Sequence, residues 1–148
     1  MRKLIPLLFA LPLAAEFRSV EMRVDGLDCA SCAGSVERAL RRIKGVESAS
    51  FRLSDATAVV ALKPGNAVVL DQVRDALKAI GYTPKDARVV ARGVAEETGF
   101  KVTGPDAVYR MEGVTPPRGV EVTLEGTVPA PADRAAPGIL RVSKILQQ

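Results

Sequence analysis

Cys29 and Cys32 are the only cysteines among 148 residues, and they stand two residues apart in the run Gly26-Leu27-Asp28-Cys29-Ala30-Ser31-Cys32. Two thiolates at that spacing can converge on one ion, and sulfur is the donor that soft ions such as Cu(I) or Hg(II) prefer. A position between the end of a strand and the start of a helix helps further. The unpaired N–H groups and dipole of a helix N-terminus favour negative charge, so they lower a thiol pKa and stabilise the anionic complex of two thiolates with a monovalent ion. Small residues at Gly26, Ala30 and Ser31 leave one side of the pair open to a partner's ligands, which suits an ion that is exchanged.

Asp28 admits two readings. As a hard oxygen donor it adds charge and coordination number, which suits a divalent ion of the Zn(II) class better than linear Cu(I). As a residue just before a helix it serves equally as a cap. The cysteines also have rival chemistry, because CxxC at a helix N-terminus is the arrangement of thiol-disulfide exchange. Against a thioredoxin-like protein stand the absence of Trp from the chain and of Pro between the cysteines. An inert disulfide is the third possibility.

The elements that must position this run can be read from Phe17 to about Lys85. Phe17 to Val24 is β-rich and ends at Gly26, and Cys32 to Ile43 carries Val36, Leu40 and Ile43 at helical spacing, with Gly45 beyond. Val46 to Leu53 and Thr57 to Leu62 are strand-like around the turn pair Ser54-Asp55. Leu70, Val73, Leu77 and Ile80 mark one face of a second helix that Gly81 terminates, after which Tyr82 and Thr83 begin a short last strand. The order β-α-β-β-α-β is that of a ferredoxin-like sandwich, an α+β fold with two helices on one face of an antiparallel sheet.

From about Arg88 the helical periodicity stops. Arg88 to Val94, Gly99 to Thr103, Val108 to Glu112, Val120 to Val128 and Ile139 to Ile145 are short β-prone segments, the fourth alternating Val120, Val122 and Leu124 with polar neighbours. Five short strands need closure or cover to hide their edges, so the expectation is a small all-β, OB-like barrel. Pro129, Pro131 and Pro137 mark a loop before the last strand. The expected organisation is therefore a domain over 16–87 followed by a second over 88–148.

Residues 1–15 differ in kind. Arg2 and Lys3 precede an apolar run from Leu4 to Leu13 and then Ala14-Ala15, the pattern of a secretory signal peptide too short to span a bilayer. The expected location is periplasmic or secreted, where an unprotected CxxC pair tends to oxidise. The rest of the composition narrows the classes. A net charge of +4 without a basic tract, and no interleaved basic-aromatic array around Phe100 and Tyr109, argues against nucleic acid as partner. With no His in the chain, the commonest general base is missing, and binding is expected rather than enzymatic catalysis. Met22 and Met111 are isolated and read as core.

The run Gly26, Leu27, Asp28, Cys29, Cys32, together with Gly81-Tyr82 downstream, resembles the heavy-metal-associated domain, whose signature is Gly-Met-x-Cys-x-x-Cys at the first strand-helix junction. The resemblance covers about Phe17 to Lys85 and departs from the signature at Leu27, an apolar replacement for the usual Met. It implies Cys29 and Cys32 as metal ligands and Tyr82 as a packing residue beside the metal loop. It also implies Cu(I) as the first choice of ion, with Hg(II), Zn(II) or Cd(II) as alternatives aided by Asp28. A membrane metal transporter or another metal-binding domain is the implied transfer partner. The charged residues Glu37, Arg38, Arg41, Arg42 and Lys44 on the motif-bearing helix could steer an acidic partner or simply face solvent. Two ligands per chain also leave room for a metal-bridged homodimer.

Overall fold

A computed structural model describes residues 16–26, 30–102, 107–131 and 138–147. The expected signal segment, Leu27, Asp28 and Cys29 lie outside the described residues.

The first half has the expected order: β1 (Phe17–Asp25), α1 (Ala30–Arg41), β2 (Val46–Arg52), β3 (Thr57–Leu62) and α2 (Leu70–Ala79), followed by β4 (Thr83–Glu96). The β2–β3 hairpin closes over Leu53–Ala56, where the Arg52 guanidinium donates twice to the Asp55 carboxylate at 2.9 Å. Val36 and Leu40 of α1 and Leu70, Val73 and Leu77 of α2 are buried against the sheet, as their spacing predicts. Ile80 is not part of that face. It follows the last turn of α2 with its N–H on the Leu77 carbonyl and is 37% exposed. A link that the pattern does not announce is Asn66, fully enclosed between β3 and α2. Its amide donates to the carbonyls of Phe17 (2.9 Å) and Lys63 (2.8 Å), and its oxygen accepts from Val68 N–H (3.0 Å). It ties the start of β1 to the chain entering α2.

The expected short last strand is instead fourteen residues of continuous β4, which runs through the position where the sequence changes character. Along one edge β4 pairs with β1, from Asp25↔Thr83 at one end to Phe17↔Ala91 at the other. Along the opposite edge it pairs with β7 (Glu121–Val128) from Ala87↔Val128 to Val94↔Glu121. Beyond the end of β1, Val94 to Glu96 pair with β5 (Gly99–Val102). β5 pairs with β6 (Ala107–Gly113), β6 runs parallel to β8 (Ile139–Gln147), and β8 returns to β7. The pairings β4-β5-β6-β8-β7-β4 thus form a closed ring grown directly on the β4 edge, within one sheet of order β2-β3-β1-β4-β5-β6-β8-β7.

Phe100, wholly buried, lies against β4 at Gly93 inside this circuit of strands. At Gly93 a Cβ would stand 2.3 Å from the Lys101 carbonyl oxygen and 2.9 Å from the Phe100 ring, so no larger residue fits where β5 approaches β4. The strict alternation expected of β7 does not hold. Val122, Thr123 and Leu124 are all buried in succession while Val120, ahead of the strand, is 46% exposed. The even positions Val122, Leu124, Gly126 and Val128 stay buried along the whole strand, so the departure is confined to Thr123, and the register shifts of the β7–β8 pairing fall on β8, where Leu146 and Ser143 are the extra residues.

One apolar core runs through both halves, and Phe17 meets Tyr109 edge-on across the seam with ring centroids 5.9 Å apart. Burial pushes the Tyr109 phenol up to about 12, with the Asp71 charge adding to the shift and Arg74 opposing it. Below the ordinary value of 10.0 both folded and unfolded chains carry the neutral phenol and full stability is present. Between 10.0 and about 12 only the unfolded chain ionises, so stability falls as pH rises through this window. Urea midpoints of the wild type should drop there, and the drop should shrink in Tyr109→Phe; equal slopes for the two proteins would contradict the assignment.

Arg74 lies on the buried face of α2 beside this seam. Its Nη1 reaches Asp71 at 3.3 Å, but Nε and Nη2 have no hydrogen-bond partner among the described residues. A buried guanidinium so poorly paired costs stability, and apolar replacements of buried ions of similar volume gain about 1–4 kcal/mol. Arg74→Met is accordingly expected to raise the denaturation midpoint. A lowered midpoint would mean that the guanidinium has a strong partner.

Candidate metal site

The site is built by the end of β1 and the start of α1. β1 delivers the chain to Asp25, and Gly26 then turns with φ +97°, a left-handed conformation that glycine takes without strain. A Cβ at Gly26 would lie 3.7 Å from the Tyr82 ring, so the half-buried Tyr82 packs beside the entrance to the loop. The Asp25 carboxylate pairs with Lys85 at 3.5 Å across the β1–β4 pairing. Four residues after Gly26 α1 begins at Ala30, and Cys32 stands in its first turn, half-buried.

That placement gives Cys32 the helix N-terminus on which the sequence argument relies. No acidic side chain occupies the first turn of α1, and Arg38 and Arg41 occupy its last, so the field at the N-terminal end is left to favour an anion there. Cys32 is in the disulfide-bonded state. A disulfide sulfur has no thiolate charge to give a metal, so the two-electron reduced form is the one competent to coordinate. Asp28 and Cys29 lie outside the described residues, and the structure adds nothing to the sequence reading of either. Among the described residues no group of three or more His, Cys, Asp or Glu side chains comes together as a metal cluster.

The charged face of α1 divides in two. Glu37 and Arg41 are engaged with β2: Phe51 N–H donates to Glu37 Oε1 at 3.2 Å and Arg41 Nη2 donates to the Ala49 carbonyl at 3.1 Å. Arg38 and Arg42 instead flank a groove of about 260 Å³ with Ser35, Ala39 and Ile80. The engagement of two of these residues with an edge strand was not visible in the sequence, because it depends on how α1 lies across the sheet.

Residues 21–83 match the family model described as the heavy-metal-associated domain. A copper-transporting ATPase of Rhizobium meliloti is 30% identical over 84 residues, 57% of this chain and 10% of the ATPase. A zinc-transporting ATPase of Synechocystis is 30% identical over 70 residues, 47% of this chain and again 10% of the ATPase. The chain thus spans about a tenth of the length of these transporters. Among solved structures, a CopZ metallochaperone is 32% identical, covering 45% of this chain and 97% of its own, with a TM-score of 0.42.

Proposed function

Residues 21–83 of this chain belong to the heavy-metal-associated domain family, and from that premise we propose an exported metal-binding protein that carries Cu(I) between the thiolates of Cys29 and Cys32. The observation that supports this most is the placement of Cys32 in the first turn of α1, a helix that begins four residues after β1 and its glycine turn have delivered the chain to Gly26. Relatives named for copper transport favour Cu(I), and the relative named for zinc transport keeps Zn(II), and with it Cd(II) and Hg(II), as the alternative ions. The function is binding and transfer, with a membrane metal transporter or another metal-binding domain as the recipient. Arg38 and Arg42 at their groove are the residues placed to meet an acidic recipient.

The deciding experiment is an anaerobic titration of the reduced protein with Cu(I), Zn(II) and Hg(II) against competing chelators, beside the disulfide form. Tight one-to-one binding by the reduced form alone supports the proposal. Failure of every ion to compete, with rapid thiol exchange against a model disulfide, transfers the function to a dithiol oxidoreductase.

Asp28→Ala separates the ion classes. If the carboxylate is a ligand, Zn(II) affinity should fall about tenfold or more, roughly 1.4 kcal/mol, while Cu(I) affinity stays within error. Equal affinities before and after would assign Asp28 to helix capping.

Three further parts of the proposal have their own tests. Export with removal of residues 1–15 requires a mature amino terminus near Glu16 in the extracytoplasmic fraction, and an intact Met1 there would reject it. The ring as an OB-like barrel rests on the closed pairing circuit and the buried Phe100, while the expected boundary between 16–87 and 88–148 falls within the continuous strand β4. Cross-strand contacts between Met111 and Leu140 in solution would support the barrel, and their absence would open it. A metal-bridged homodimer requires the mass to double at half an equivalent of metal.

A further inference from the structure

Every aspartate of the chain but one is followed by a residue with a Cβ, and the exception is Asp25, followed by Gly26. A side-chain carboxyl can acylate the backbone nitrogen of the next residue and close a five-membered succinimide, and a Cβ on that residue obstructs the approach. Glycine has none. Aspartates elsewhere are also held. Asp55 accepts twice from Arg52, Asp86 accepts from Ala130 N–H at 2.8 Å, and Asp71 lies in α2, where the helix fixes the backbone. Asn66, the one asparagine, is buried with its amide bonded at both ends. Asp25 is placed differently. It ends β1 and is paired with Thr83 on one side only, because the β1–β3 pairing stops at Arg23, and its side chain is 56% exposed. A strand end held on one side opens locally at little cost. Gly26 lies beyond the strand in its left-handed turn, exposed, and its N–H donates to no acceptor among the described residues.

We propose that Asp25–Gly26 is a site of spontaneous covalent modification, where aspartate isomerises to isoaspartate through a succinimide and Lys85 restrains the reaction. The Asp25 carboxyl takes up a proton and is attacked at Cγ by the Gly26 backbone nitrogen. The N–Cγ bond forms, the Cγ–OH bond breaks, and the hydroxyl leaves with the amide proton as water. A water then adds back to one ring carbonyl. Addition at Cγ restores aspartate, and addition at the backbone carbonyl gives isoaspartate, whose main chain runs through Cβ and Cγ. The mass is unchanged and no co-reactant is consumed. Lys85 Nζ lies 3.5 Å from Oδ2 of Asp25 across the β1–β4 pairing, and the carboxyl must leave this ion pair to meet the Gly26 nitrogen. An exposed pair of this kind slows the reaction by no more than about fivefold. The product lengthens the main chain by one atom where β1 hands over to its turn, so the Asp25–Thr83 pairing and the Gly26 turn cannot both be kept. A loss of Cu(I) affinity in the isomerised fraction follows, and this consequence alone rests on the metal-binding reading.

The test incubates the full chain, oxidised and metal-free, in warm neutral buffer made with water enriched in the heavy isotope of oxygen, with circular dichroism confirming that it stays folded. Each passage through the succinimide leaves one heavy oxygen at the site, and peptide mapping by mass locates it. Label in the peptide that holds Asp25, while the peptide that holds Asp55 stays unlabelled, is the expected result. Asp25→Glu, which would need a six-membered ring that closes far more slowly, should take up none, and Lys85→Ala should take up label about two- to fivefold faster than the wild type. Equal labelling at Asp25 and Asp55, or label that persists in Asp25→Glu, overturns the site. A Lys85→Ala rate no faster than that of the wild type overturns the restraint. Because the label is read without metal, a chain that takes it up and binds no ion counts against the metal reading alone, and a chain that binds Cu(I) and takes up no label counts against the modification alone.

Discussion

Cys29→Ser with Cys32→Ser should reduce Cu(I) affinity by about three orders of magnitude or more, equivalent to roughly 4 kcal/mol. The size follows from the donor chemistry. A hydroxyl at neutral pH is neither charged nor soft, so the variant loses both the electrostatic and the covalent part of two bonds, while the field of the α1 N-terminus remains with nothing anionic to stabilise. The fold should tolerate the change, because Cys32 is only half-buried and its neighbours are small. Competition with a Cu(I) chelator reads the affinity, and far-UV circular dichroism checks the fold. A well-folded double variant that still holds Cu(I) as the wild type does would remove the motif from the mechanism.

Gly93→Val should destabilise the protein by about 3 kcal/mol or more, and it should do so from the ring outward. The new Cβ would enter space that the Lys101 carbonyl and the Phe100 ring already fill. Backbone cannot yield as the tip of a flexible side chain would, so β4 must part from β5 or Phe100 must leave its site. Metal binding by the reduced variant is expected to survive, because Thr83 to Ala91 retain their pairing with β1 on the other side of the lesion. Loss of the near-ultraviolet dichroism of Tyr109, with Cu(I) affinity unchanged, is the expected signature. An unaltered unfolding midpoint would show that the ring absorbs the methyl groups, and a parallel loss of affinity would show that β4 transmits the damage to the cysteine loop.

The ferredoxin-like half was legible because its signals are local. Val36 and Leu40 at helical spacing, the polar turn at Ser54-Asp55, and Gly81 after α2 each report on the few residues around them, and the burial found agrees. The C-terminal strands were legible as segments, within a few residues at their ends, but their joining was not. Nothing between Tyr82 and Arg88 says that the last strand of one unit is the first of the next, since Thr83-Pro84-Lys85-Asp86 has the composition of a linker. Ile80 and Val120 were misplaced for a related reason. Each continues an apolar pattern by one residue past the point where α2 ends or β7 begins, and a pattern carries no mark of where an element stops.

The candidate site was legible as chemistry and only partly as geometry. The helix that carries Cys32 could be read from spacing, while the uses found for Glu37, Arg41, Arg74 and Asn66 depend on neighbours in other elements, eight or more residues away, or on burial that charge alone argues against. A charged residue in sequence is indistinguishable from a solvated one until the element beside it is in place.

The length of β4 also fixes which end of the molecule can be held. From Thr83, beside Asp25 and the cysteine loop, to Glu96 inside the ring the strand has a contour of roughly 43 Å at about 3.3 Å per residue. With no slack between the two units, the ring is a rigid grip rather than a tethered bead. Attaching the protein to a solid surface through its C-terminal strand leaves the β1–α1 end of the sheet, at Asp25 and Thr83, on the side away from the support.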